Sequence, residues 1–442
     1  MRILMISWEY PPVMVGGLGI HVNNLVHELK ELGHEITVVT RSADAAAGTP
    51  REVTDEMRDG VRVVSVPLTP FALEFTTDLM AWTLLMGSAM TRAIHHLLQG
   101  SGPCSTLGAW RPELVHGHDW LVAVPAVFAA DECDVPLVGT FHATEAGRNS
   151  GWLSHPINKQ VHSAEWWFAN SCDSLIACST SMVEEVAEVF GRADTGSPGL
   201  CEIHNIPNGI DPTGWTCTRK PAHISSAPHI LYFGRLEWEK GVHDILSCLP
   251  QLRRRYPGIH ATIAGKGMKE GWLKAKQRRH RLDGIVEFTG HLKRPELKTL
   301  LSQADLAVLP SRYEPFGIVA LEAAAAGIPI VAAETGGLVS IVKDGTTGWT
   351  YPPGIIEEMV ETIDTALQSA SERDKRARAN QTQLTNFQWS KVASQTVEVY
   401  RATIKSSSQN SHRKLPRPLI PLRPLPLRDR TTPVDVATTV PH

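Results

Sequence analysis

The chain opens with an unbroken apolar run, "RILMIS" (residues 2–7). Leu18, Val22, Leu25, Val26, Leu29 and Leu32 then recur at a helical period, Gly33 breaks it, and "EITVVT" is a second apolar run. Short apolar runs joined by an amphipathic segment form the βαβ unit of a parallel sheet, whose strands are buried on both faces. The pattern continues through "VRVVSVP", "PELVHGH", "PLVGTFH" and "DSLIACS", each followed by a helical stretch. A second series follows a polar, proline-containing stretch and runs through "HILYFGRL", "HATIAGKG", "IVEFTGH", "DLAVLPS" and "IPIVAAE". The predicted fold class is therefore α/β, with one parallel-sheet domain over 1–210, a linker over 211–228 and a second such domain over 229–388. A helix over 389–405 and a proline-rich tail over 406–442 complete the chain. Open sheets of this kind bind ligands beyond the carboxyl ends of their strands, so two that face each other make a cleft.

Composition narrows the function classes. With 442 residues, 42% hydrophobic, 20% charged and a formal charge of -3, the chain is expected to be soluble, with neither nucleic acid nor an anionic membrane as its main partner. Its seven cysteines form no ligand-spaced set, which predicts free buried thiols and a cytoplasmic location. The N-terminal run is too short for a secretory signal, and "LMAWTLLMGSAM" (79–90) reaches only about half of a ~20-residue span. Residues 315–333 are long enough but carry Glu322, Gly327 and two prolines, so no transmembrane segment is expected. "RKLPRPLIPLRPLPLR" in the tail has the composition of a polyproline ligand and, equally, of a solvated segment.

The candidate chemistry lies in "SRYEPFGIVALEAAAAGIPIVAAETGGL" (311–338), where Glu314, Glu322 and Glu334 interrupt a stretch almost free of charge. "DLAVLP" is a strand, so Glu314 sits in the loop at its carboxyl end. Phe316 and Gly317 begin a helix that Gly327 and Pro329 end. Ile318, Leu321, Glu322 and Ala325 share one face of it, which points the Glu322 carboxylate the way the apolar residues point. A carboxylate there needs donors, and a vicinal diol such as a ribose supplies two. The helix start favours a phosphate or oxyanion, as does a second one expected at Thr335, Gly336 and Gly337. Taken singly, each glutamate is as readily an exposed or edge residue.

Loss of a nucleoside diphosphate would need positive charge at the departing phosphates. No Asp-x-Asp pair is present to hold a cation, but "FGRLEWEKG" (233–241) ends a strand of the second domain with Arg235 and Lys240. The loop "SWEYPPVMVGGLG" (7–19) carries Gly16 and Gly17. As a dinucleotide fingerprint it fails, since Val22 stands where a third glycine belongs and the second strand ends without an acid. A NAD-dependent oxidoreductase is thus a weaker alternative. "VHGHDW" (115–120) and "TFHATEAGR" (140–148) place His116, His118, Asp119 and His142 at strand ends, but with no metal-ligand spacing.

Glu314 and Glu322 form an E-x7-E motif, and "YEPFGIVALEAAAAGIPIVAAETGGL" resembles the matching block of the retaining GT-B glycosyltransferases of family 4, the glycogen-synthase type. "GRLEWEKG" is similar to that family's Arg-x4-Lys, and "NGID" (208–211) and the glycine loop also match. The resemblance covers residues 1–405. It implies two Rossmann-like domains facing across a deep cleft, with the last helix crossing back to the first domain. It further implies retaining transfer of glucose from ADP- or UDP-glucose to the non-reducing 4-hydroxyl of an α-1,4-glucan or maltooligosaccharide, without cofactor or metal. Under it, Glu314 contacts the donor hexose, Glu322 the ribose, and Arg235 and Lys240 the diphosphate. Gly16, Gly17, Asn208, Phe316, Gly317, Thr335, Gly336 and Gly337 line the donor site. His142 stands beside the reacting sugar, with Asp119, Glu9 and Tyr10 on the acceptor side. Met14-Val15 departs from the Lys-Thr or Lys-Val of many relatives, which removes one basis for inferring the donor base. A transferase for another sugar or acceptor, or an inactive glycan-binding protein, would share the fold.

Overall fold

A computed structural model of the chain describes residues 1–42, 52–67, 73–191, 202–219 and 225–409; the proline-rich tail beyond 409 and residues 220–224 of the expected linker lie outside them. The first apolar series forms β1 (Arg2–Ile6), β2 (Glu35–Arg41), β3 (Thr54–Arg58), β4 (Val61–Val66), β5 (Leu114–His118), β6 (Leu137–Phe141), β7 (Ser174–Ala177) and β8 (Glu202–Asn205). They make one sheet in the order β3-β4-β2-β1-β5-β6-β7-β8. The second series forms β9 (His229–Phe233), β10 (His260–Ala264), β11 (Val286–Gly290), β12 (Leu306–Leu309), β13 (Ile330–Ala333) and β14 (Trp349–Tyr351), in the order β11-β10-β9-β12-β13-β14.

Pairing is parallel except between β3 and β4. The sequence pattern did not reveal β3, because "TDEMR" is polar and lies on an edge where only one neighbour demands a fit. The central strands are the continuous apolar runs, and β4, β5, β6, β7 and β9 are buried at every position.

Helices α1 (Gly17–Glu31), α2 (Leu79–Gln99), α3 (Ala123–Cys133), α4 (Glu145–Arg148), α5 (Pro156–Ser171) and α6 (Thr180–Val189) belong to the first lobe. The second carries α7 (Val242–Arg255), α8 (Glu270–Arg279), α9 (Arg294–Gln303), α10 (Ile318–Ala326), α11 (Leu338–Ile341), α12 (Ile356–Gln368) and α13 (Ala370–Gln383). In α1 the predicted stripe is buried from Leu18 to Leu29, whereas Leu32 is the C-cap and 47% exposed. The long α14 (Trp389–Gln409) extends four residues past the predicted end and crosses back to pack on α1. Tyr400 Oη bonds His116 Nδ1 at 2.7 Å, and Thr403 Oγ1 donates to Ser174 Oγ at 2.8 Å. Among the described residues no helix is long and apolar enough to cross a membrane.

Sheet order decides where a ligand goes. The chain leaves β1 toward β2 and later returns beside β1 with β5; it leaves β9 toward β10 and returns with β12. Each reversal opens a crevice beyond the carboxyl ends of the two strands, because their connections run to opposite sides. Glu9, Gly16 and Gly17 follow β1, Asp119 follows β5, Arg235 and Lys240 follow β9, and Glu314 to Gly317 follow β12.

Candidate active site

The loops after β9 and β12 are locked together. Gly241 has φ +65°, and a Cβ there would lie 1.9 Å from Pro310 O, so only glycine lets the turn approach this closely. Arg312 N–H donates to Glu239 O at 2.8 Å. This register brings Lys240 Nζ within 2.7 Å of Glu314 Oε2, both side chains about 85% covered, and Ser311 Oγ donates to the same oxygen at 3.1 Å. Arg235 differs. Its side chain is 57% exposed, and its contact with Glu239 Oε1 at 3.2 Å is a surface pair, worth about 0–1 kcal/mol. The guanidinium is free to bind something better.

Helix α10 starts and stops where the sequence indicated, with Gly317 and Gly327 both at positive φ as its caps. The amides of Ile318 and Val319 find no acceptor among the described residues. Five alanines of this helix are buried, which lets it approach its neighbours closely and carries Glu322 inward with them. Burial pushes the Glu322 carboxyl up to about 8, against the pull of the Arg294 guanidinium. Among the described residues nothing donates a hydrogen bond to Glu322. Glu322 is half-buried, so its carboxyl meets the crevice without a donor from the protein and is open to the hydroxyls of a ligand.

The second helix start is not as expected. Thr335–Gly337 opens only the single turn α11, whose dipole is small, and Gly337 N–H already donates to Glu314 O at 2.8 Å. Gly336 and Gly337 also press this loop on the 314–316 loop, where a Cβ at Gly337 would meet Phe316 Cα at 2.3 Å. Glu334 points outward and accepts from Thr350 Oγ1 at 2.9 Å.

In the first lobe, Glu9 is turned inward. Its Oε2 accepts from the amides of Val15, Gly16 and Gly19 at 2.9, 2.9 and 3.3 Å, so it shapes the glycine loop, and at 3% exposure it presents little surface to an acceptor. Tyr10 is 4% exposed and likewise offers no stacking surface; burial pushes its hydroxyl up to about 12. Gly17 lies across the cleft from α10, where a Cβ would sit 2.7 Å from Ile318 Cδ1, while Gly16 has open space. Asp119 takes φ +61°, and its carboxylate accepts the His142 amide at 2.8 Å. Burial pushes Asp119 up to about 6 and His142 down to about 4. Asn208 is 4% exposed, and its Oδ1 has no partner among the described residues.

Three further residues, none singled out in the sequence, close the cleft. Tyr313 Oη accepts from Thr144 N–H at 3.1 Å and donates to Glu185 Oε1 at 2.8 Å, spanning the two lobes. Ser179 Oγ donates to Pro315 O at 2.6 Å, so the loop bearing Glu314 is docked on the first lobe. Arg148 keeps more than a third of its surface open while Tyr313, Asp119, Glu165 and Glu145 surround it, which marks a charge on the cleft wall.

Comparison with known proteins accounts for most of the chain. Residues 15–213 match the family described as Glycosyltransferase Family 4, and residues 217–383 match Glycosyl transferases group 1. The chain is similar to a glycogen synthase of Mycobacterium tuberculosis, 45% identical over 97% of this chain and 100% of that protein. Its fold is similar to that of sucrose-phosphate synthase from Thermosynechococcus elongatus, with a TM-score of 0.73 at 20% identity, covering 92% of this chain and 99% of that one. It is also similar to the catalytic domain of starch synthase IV from Arabidopsis thaliana bound to ADP and acarbose, with a TM-score of 0.67 at 19% identity, covering 91% and 99%.

Proposed function

The chain belongs to the GT-B glycosyltransferases of group 1 and family 4 and is a hexosyltransferase, and from that premise we propose that it lengthens α-1,4-glucans. Glucose comes from ADP- or UDP-glucose and goes to the non-reducing 4-hydroxyl of a glucan or maltooligosaccharide. The full-length similarity to a glycogen synthase supports glucose and glucan over other sugars and acceptors. Family membership removes the oxidoreductase alternative. The observation that carries the donor side is the half-buried carboxyl of Glu322, which no group of the described residues bonds, on the helix that follows the loop holding Glu314 and its partner Lys240.

In this reading the ribose hydroxyls bond Glu322, and the diphosphate lies by the first amides of α10 between Arg235 and Lys240. Lys240 now neutralises Glu314. When the diphosphate arrives, the ammonium turns to phosphate oxygen and Glu314 is released toward the hexose hydroxyls. The glycosidic bond then ionises as Arg235 and Lys240 take up charge on the leaving group. The His142 backbone carbonyl, held by the Asp119 carboxylate through its own amide, faces the developing positive charge on the sugar. The acceptor hydroxyl attacks from the face that the phosphate leaves and gives its proton to the departing phosphate oxygen, so the α configuration is kept. Closure of Tyr313 on Thr144 and Glu185 excludes water that would hydrolyse the donor.

Incubation with ADP-, UDP- and GDP-glucose and a maltooligosaccharide, followed by mass spectrometry, tests the reading. One or both of the first two donors should lengthen the chain by successive hexoses. No lengthening with any donor would refute it.

A further inference from the structure

Sequence order suggests His116, His118 and His142 as the histidines to consider together, and the structure changes one member of that trio. Both nitrogens of His116 are occupied, Nδ1 by Tyr400 Oη and Nε2 by Thr140 Oγ1, each at 2.7 Å. In its place α1 supplies His21. One ring nitrogen each from His21, His118 and His142 lie within 4.8 Å of one another. His118 Nδ1 and His142 Nε2 are 3.2 Å apart, near the roughly 3.4 Å between two ligands on a tetrahedral ion with bonds of about 2.0–2.1 Å. The third nitrogen needs to move by only about 1.5 Å, within reach of a small ring rotation.

We propose that His21, His118 and His142 form a binding site for a divalent transition ion of the zinc and cobalt class, on the buried side of His142. The three come from a helix, a strand and a loop, so the cluster is a product of the fold and not of one flexible segment. His21 Nδ1 is buried and makes no hydrogen bond of good geometry among the described residues, with the Asn208 side chain as the polar group nearest its ring. His118 is fully buried and His21 4% exposed, while His142 is half-buried and opens the way from the cleft. An all-imidazole donor set selects zinc, cobalt, nickel or copper over magnesium, calcium or manganese, which prefer oxygen. The site is therefore separate from any ion carried by a donor diphosphate. A bound ion fixes the ring of His142 from behind and so ties metal occupancy to the residue placed beside the reacting sugar.

The inference rests on the geometry of the first lobe and does not depend on which sugar is transferred. Its test uses the full chain, stripped with chelator and titrated with Co²⁺ while visible absorption is followed. One equivalent should bind and give the intense bands of a low-coordinate nitrogen site. X-ray absorption of the zinc form should count about three imidazoles. Losing a group that merely hydrogen-bonds a metal ligand costs about 10–100-fold in affinity, so His21→Gln and His142→Gln should each weaken binding at least about tenfold. If one variant fails to fold, the other and the wild-type imidazole count still decide. Absence of stoichiometric cobalt binding, fewer than two imidazoles, or undiminished affinity in a folded variant would each overturn the site, the last by placing the metal on other histidines.

Discussion

Two acids near the cleft, Glu9 in the first lobe and Glu322 in the second, are used in opposite ways. In the first, Glu9 and Asp119 are engaged by backbone amides, Glu9 by three within its own loop and Asp119 by that of His142. In the second, Glu322 is half-buried with no donor among the described residues, and Arg235 has only a weak surface partner. Acids of the first kind are spent on shaping a wall, whereas those of the second wait for groups that the chain does not supply. The lesson is that burial alone does not identify a binding residue; an acid at a strand-end crevice whose carboxyl the protein leaves unbonded is the better guide.

The largest effect that would sharpen this contrast is on turnover. Lys240→Ala removes the buried cation from the leaving group and should lower kcat by about 10²–10³-fold, the loss typical of a charge-stabilising donor, with circular dichroism unchanged. Unchanged turnover would take Lys240 out of the chemistry. Next come the two glutamates, which should part ways. Glu322→Ala should raise the donor KM by about 10–100-fold through loss of one or two hydrogen bonds to the ribose, leaving acceptor affinity alone. Glu9→Ala should instead cost about 1–3 kcal/mol of stability in denaturant titration, because three amides lose their acceptor. A shared phenotype would break the comparison.

Smaller is the effect of the contact between lobes. Tyr313→Phe keeps the ring and deletes the hydroxyl that bridges Thr144 and Glu185, so kcat/KM should fall by about 3–10-fold, with circular dichroism unchanged and about 1–3 kcal/mol of stability lost as the Thr144 amide loses its acceptor. Smallest on activity, but specific in sign, is the pH dependence of folding. The Glu322 carboxyl titrates at about 8 in the folded chain against an ordinary 4.5. Between those values the folded state holds a proton that the unfolded state has released, so stability falls as pH rises through the window. Asp119, pushed up to about 6, acts in the same direction over a lower range. Glu322→Gln cannot ionise and should lose less stability from pH 5 to pH 8 than the wild type, by on the order of a few kcal/mol, as read by urea unfolding. Parallel pH profiles would mean that Glu322 already ionises freely.

Much of this was legible before any coordinates. Apolar runs and helical periods mark the central strands of both sheets and the last helix, and Gly317 and Gly327 mark the ends of α10. Spacing puts Glu322 on the apolar face of that helix. The same test would have marked Glu165, since Val161, Glu165, Phe168 and Ala169 share a face of α5 and all four are buried. What could not be read were contacts made by strand order. The meeting of Lys240 with Glu314 depends on β9 lying beside β12, and no local pattern encodes that adjacency. Nor could the inward turn of Glu9 be foreseen, because its partners are backbone amides that every residue type carries. The glycine pair Gly336-Gly337 suits both phosphate approach and close loop packing, and the packing is visible only in the geometry. β3 escaped because a polar edge strand has no apolar signature.

The central claim is that Glu322 stands ready for the donor's ribose, and a thermodynamic cycle tests it most directly. Binding of the nucleoside diphosphate and of its 2′,3′-dideoxy analogue is measured by calorimetry on the wild type and on Glu322→Ala. The wild type should lose about tenfold or more in affinity when the two hydroxyls are removed, and the variant, already weakened, should lose little further. Equal losses in both proteins would mean that the hydroxyls bond elsewhere and that the half-buried carboxyl of Glu322 has another purpose.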